Sequence, residues 1–176
     1  MNITAIIQAF DDFLGRQHQD FEGIIVGGAA LNLLSITSRV TRDVDVMVPD
    51  SLPHQIAECA REFALQNNLP ADWLNTGPAD IVRYLPKNWQ KRTQEIFKGK
   101  HLHLKTLGKK ELLMTKCWAY CDRERDLNDI LAMNPDKKDL EEITEWLKPL
   151  DANPDWPCFV ETLMQEIINK LINNQN

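Results

Sequence analysis

A short β-branched run, Ile24-Ile25-Val26, stops at Gly27-Gly28, and a second run, Asp43-Val44-Asp45-Val46-Met47-Val48, follows about fifteen residues later. No other feature restricts the fold of this chain as strongly. An apolar run of β-branched residues closed by glycine reads as a buried strand. Glycine at its end lets the backbone approach a ligand, since no Cβ intervenes. In the second run polar and apolar residues alternate, so it reads as a strand with Asp43 and Asp45 on one face. Between the two, Ala29-Ala-Leu-Asn-Leu-Leu34 reads as a helix beginning directly after the glycine pair.

The flanking sequence builds a domain around this unit. Residues 2–15 carry Ile3, Ile6, Ile7, Phe10 and Phe13 at helical spacing, with Asn2 as the cap. Pro49 ends the second strand, and Leu52 to Gln66 reads as a helix. Residues 70–76 and 101–107 are shorter strand candidates, separated by a Pro/Lys/Trp-rich stretch that reads as hairpin and loop. After Gly108 the pattern is helical, over Lys110–Tyr120, Arg125–Met133, Asp139–Leu147 and Phe159–Ile172. The expected fold class is α/β (α+β). A small mixed-sheet head flanked by helices covers residues 1–107, with a helical C-terminal region, 108–176, packed on it. A chain of 176 residues can bury such a core without disulfides or metal staples.

Composition narrows the function. The chain holds 26 acidic against 20 basic residues, a net charge of -6. A general nucleic-acid coat protein, which binds by neutralising phosphates, is therefore not expected. The lysines at 98, 100, 105, 109 and 110 and the cations Arg83, Lys87, Lys91 and Arg92 read first as solvated faces. Cys59, Cys117, Cys121 and Cys158 lack zinc or disulfide spacing, and Cys117 and Cys121 share one helix face. With no signal-like start and no run of roughly 20 apolar residues, a cytoplasmic protein without membrane contact is expected.

The chemistry concentrates in residues 27–45. Two carboxylates at i and i+2 on a strand suit Mg²⁺ (or Mn²⁺), which takes a few carboxylates and completes its shell with phosphate oxygens. Two such ions activate an attacking hydroxyl and neutralise a leaving pyrophosphate. Arg39 and Thr41 are candidates for phosphate binding or for anchoring the loop. Alone, a glycine pair is usually a tight turn and Asp-x-Asp a solvated edge; their order and spacing together are far more specific. Trp89 is the aromatic best placed to stack on a base, although scattered aromatics are usually core.

Gly27-Gly28 followed by Arg39-x-Thr41-x-Asp43-x-Asp45 resembles the signature of the DNA polymerase β-like nucleotidyltransferase superfamily. Leu112-Leu113-Met114-x-Lys116, then Arg123-x-x-x-Asp126-Leu127-x-Asp129, is similar to a helical block of bacterial nucleotidyltransferase-like proteins related to abortive-infection (AbiEii-type) toxins. The resemblance covers roughly residues 22–133. It implies metal-dependent transfer of a nucleoside monophosphate, or of nucleotides, from an NTP to a hydroxyl acceptor that is a tRNA, a protein or a small molecule. It also implies a toxin held by an antitoxin partner. By the same resemblance Asp43 and Asp45 hold the metal and Gly27, Gly28, Arg39, Thr41 and Lys116 bind the nucleotide, while Asp126 and Asp129 either lie near the cleft or, in a structural role, brace Arg42 or Lys116. A third catalytic carboxylate belongs in Pro70-Ala-Asp-Trp-Leu-Asn-Thr76, where Asp72 is the candidate and Asn75 the competing occupant. With an amide there, the alternative is a catalytically degenerate module that binds nucleotide or a protein partner without turnover.

Overall fold

Helix α1 (Ile3–Arg16) begins where the sequence predicts, because the Asn2 side chain accepts the Ala5 N–H at 2.8 Å and closes its first turn. Its apolar stripe, Ile3, Ile6, Ile7, Phe10, Phe13 and Leu14, is buried. The computed structural model describes residues 2–174, in two compact units, Met1–Gly108 and Lys109–Asn176.

The first unit is built on a five-stranded mixed sheet: β1 (Phe21–Val26), β2 (Val44–Val48), β3 (Leu74–Asn75), β4 (Gln94–Lys98) and β5 (Leu102–Thr106). The strand order is β3-β2-β1-β5-β4. Central β1 runs antiparallel to β2 and parallel to β5, while β3 runs parallel to β2. The glycine turn and the two aspartates therefore meet at one end of the sheet, where Val26 pairs with Asp45. Helices α2 (Gly27–Leu33) and α3 (His54–Asn67) complete the unit.

Phe10 and Phe13 of α1, Phe63 of α3 and Trp73 form one aromatic cluster, with Trp73 edge-on to Phe10 at 5.0 Å between ring centres. Trp73 is fully buried and its Nε1–H donates to the Ala60 carbonyl at 2.9 Å, which fixes the chain just before β3. Trp73→Phe leaves that carbonyl unpaired and opens space, so urea unfolding is expected to show a loss of about 2 kcal/mol.

A second clasp joins α1 to the β4–β5 turn. Buried Asp11 accepts the backbone N–H groups of Lys100 (3.1 Å), His101 (2.8 Å) and Leu102 (2.7 Å). Gly99 is required beside it, because a Cβ there would collide with the Asp11 carboxyl.

The structure differs from the sequence expectation in three places. Helix α2 includes both glycines rather than following them. The third strand shrinks to two residues, and the expected hairpin-and-loop stretch contains 3₁₀ helices at Gly77–Tyr84 and Trp89–Arg92. Strand β4 lies in that same stretch; its register shifts between Glu95 and Phe97, and such a bulge breaks the alternation that would reveal a strand.

The second unit is helical: α4 (Lys109–Arg123), α5 (Leu127–Ala132), α6 (Lys137–Leu147) and α7 (Trp156–Asn174). Asp136 caps α6 by accepting the Asp139 N–H at 2.7 Å, and Trp156 Nε1–H donates to the Leu147 carbonyl at 2.9 Å. Cys117 and Cys121 are buried on one face of α4. Burial pushes both thiols upward, Cys121 to about 12, so both stay protonated and inert. Among the described residues, no helix is long and apolar enough to cross a membrane.

Candidate active site at the glycine turn

The site grows from Gly27. Its φ of +73° is a left-handed conformation that residues with a Cβ rarely adopt. A Cβ on it would also strike Oδ2 of Asp45 on the neighbouring strand. Glycine is needed here twice over, once for the turn and once for the contact with the carboxylate.

Gly28 meets the other side of the site. A Cβ there would lie 3.3 Å from an Arg39 guanidinium nitrogen and 3.4 Å from Thr41 Oγ1. Thr41 Oγ1 in turn donates to Asp43 Oδ1. The structure thus brings together Gly27, Gly28, Arg39, Thr41, Asp43 and Asp45. Val40, between Arg39 and Thr41, is 78% exposed.

Asn32 holds this arrangement. Its Nδ2 donates to the Gly28 carbonyl and to the Arg39 carbonyl, each at 3.0 Å, tying the first turn of α2 to the returning loop. Sequence reasoning passed over this residue. The available signal is an asparagine inside a short helix, a place where its side chain tends to compete for backbone groups.

On the far side of β2, Asn75 of β3 pairs in register with Asp45. Its Nδ2 donates to Asp45 Oδ1 at 3.1 Å and lies 3.4 Å from the Asp72 carbonyl, while its Oδ1 accepts the Gly77 N–H at 2.9 Å. A backbone N–H can only donate, so the Gly77 contact fixes which end of the amide faces Asp45. Asp72 is exposed in the turn before β3. With Arg42, Asp43, Pro70 and Asn75 it lines an open cleft of about 330 Å³.

Asp45 lies on β2, whereas Asp43 falls just before it rather than on the strand as expected. Two carboxylates at a glycine turn, beside a guanidinium and a hydroxyl, are a donor set that fits Mg²⁺ carrying phosphate oxygens. Among the described residues, no group of three or more His, Cys, Asp or Glu side chains is arranged to hold a metal ion.

Lys116 belongs to the second unit. It is 4% exposed, and its Nζ is 2.9 Å from Asp126 and 2.7 Å from Asp129, both buried. Asp126 also meets Arg123 at 3.3 Å. The two aspartates therefore brace a buried ammonium, a setting in which each charge depends on the others. Trp89 is 5% exposed and packs as core, so it offers no face to a base. The lysine cluster is largely ion-paired, with Lys105 on Glu22 at 2.6 Å and Lys98 on Glu95 at 3.8 Å.

A family model described as "Nucleotidyltransferase of unknown function (DUF6036)" matches residues 2–148, most of the chain. No curated protein and no solved structure matches it.

Proposed function

The chain belongs to this nucleotidyltransferase family, and on that premise we propose that it transfers a nucleoside monophosphate, or nucleotides, from an NTP to a hydroxyl acceptor in a reaction requiring Mg²⁺ or Mn²⁺. The observation that carries this reading is the fit of Gly27 against Asp45, with Arg39 and Thr41 against Gly28. That arrangement leaves backbone, not side chain, facing the place where a triphosphate meets its cation.

In this reading Asp43 and Asp45 hold the cation, which draws charge from the phosphates and the leaving pyrophosphate. The Gly27–Gly28 backbone and the Arg39 guanidinium take phosphate oxygens, the guanidinium by charge-assisted hydrogen bonds. Thr41 orients Asp43 through its hydroxyl. Asp72, on the wall of the cleft, is the carboxylate available to take the acceptor's proton.

A second reading has its own observation. The amide of Asn75 faces Asp45 where a third carboxylate would complete the site. This favours a module that binds nucleotide without turnover.

Thermal-shift titration of each NTP, with and without Mg²⁺, tests the proposal on the wild type and on Asp43→Asn/Asp45→Asn. A nucleotide at 100 times its Kd adds about 2.7 kcal/mol, or roughly 5–10 °C in Tm for a chain of this size. A Mg²⁺-dependent shift that disappears in the double variant supports the site. Folded protein that shifts with no NTP removes the proposal. A shift without pyrophosphate release for any acceptor selects the second reading.

A further inference from the structure

Asn75 is held from three sides. Its Oδ1 is committed to the Gly77 N–H, and its Nδ2 points at Asp45 Oδ1, with the Asp72 carbonyl as a second acceptor. Turning the amide over would set N–H against the Gly77 N–H and oxygen against the Asp45 carboxylate, losing both bonds at once. The group beside Asp45 on β3 is therefore a neutral donor, with the positive end of its N–H dipole toward the carboxylate. A divalent cation placed there would meet that positive end rather than a lone pair.

On the reading that Asp43 and Asp45 carry the metal, we infer that Asn75 sets the number of cations. The site takes one divalent ion, on Asp43 and Asp45 with the triphosphate, and Asn75 keeps a second one out. Asn75 is thus a positioning residue: it ties down one oxygen of Asp45 and supplies no ligand of its own. One cation is enough to hold a triphosphate and to draw charge from its leaving group. The acceptor oxygen is then left without a metal to acidify it.

The count can be read without turnover or a known base. Wild type and Asn75→Asp are passed over a gel-filtration column equilibrated in Mn²⁺ and inorganic tripolyphosphate, and bound Mn²⁺ per chain is measured. The expected result is one Mn²⁺ for the wild type and two for N75D, whose carboxylate replaces the donor by a ligand. Two ions on the wild type overturn the inference, as does a single ion on N75D with wild-type circular dichroism. No ion on the wild type instead removes the metal site of the proposed function, so the two failures are distinct. The wild-type count needs no variant, and two ions there overturn the inference even where N75D does not fold.

Discussion

Asp11→Ala is expected to lower the unfolding free energy of the first unit by about 2–4 kcal/mol, since it strips the acceptor from one buried and two part-buried backbone donors. The cost is up to about 1–3 kcal/mol for the buried one and less for the others. The donors are the backbone N–H groups of Lys100, His101 and Leu102, which have the Asp11 carboxylate as their acceptor. Scanning calorimetry should show Tm falling by on the order of 10 °C. Asp11→Asn should lose less, because one amide oxygen can still accept from His101 and Leu102. An unchanged Tm in Asp11→Ala would mean that water replaces the carboxylate at little cost.

The same clasp has a defined pH dependence. Burial by itself raises the Asp11 pKa, but the three backbone N–H groups, helped by the field of His101, outweigh it and leave the carboxyl below its usual 3.8. A group whose pKa is depressed by folding stabilises the fold above its unfolded pKa, about 3.9, and that stability is lost as pH falls through the folded value. Acid unfolding of the wild type should therefore include a component below about pH 4 that Asp11→Ala lacks.

Gly27→Ala carries the largest expected effect on the proposed activity. A Cβ at φ +73° strains the backbone by about 1–2 kcal/mol. The same atom displaces the Asp45 carboxylate it would strike. A displacement near 1 Å in a catalytic site costs about 100-fold in rate, so Mg²⁺-dependent transfer should fall by about that factor and NTP affinity should fall with it. Gly28→Ala is the graded control. Its Cβ would sit 3.3–3.5 Å from Arg39 and Thr41 side chains, which can give by a few tenths of an ångström. Titration calorimetry of both variants should rank them in that order. Equal affinity in Gly27→Ala and wild type would separate the glycine turn from nucleotide binding.

The strand at Ile24, the helix at Ile3 and the strand through Val44–Val48 were legible because each rests on local rules: β-branched runs, helical spacing, alternation. The meeting of Gly27 with Asp45 was legible only as a resemblance in spacing, since the contact depends on how β1 and β2 register. Strand β4 was not legible. Its sequence, Gln94-Glu-Ile-Phe-Lys98, places its two apolar residues side by side, and only a bulge and a partner strand make it a strand. Asn75 was visible as a competitor of Asp72, but which end of its amide faces Asp45 depends on the backbone N–H of Gly77, a tertiary detail. The buried pairing of Lys116 was legible in part. The spacing Lys116…Asp126-x-x-Asp129 offers the aspartates as braces for Lys116 or Arg42, and only the fold shows that both close over the Lys116 ammonium.

The central place of β1 has a consequence for how the first unit comes together. One edge of β1 is satisfied by β2, reached after a short excursion through α2. The other waits for β5, whose Thr106 hydroxyl bonds the Ile25 carbonyl across 81 residues of chain. Asp11 clasps Leu102 across 91. Loop-closure entropy grows with the span to be closed, and non-local pairings slow folding. The half that holds the glycine turn is joined by nearby residues, whereas the α1–β5 seam closes long spans of chain. Chain connectivity thus builds the glycine turn from local contacts and leaves the seam to distant ones.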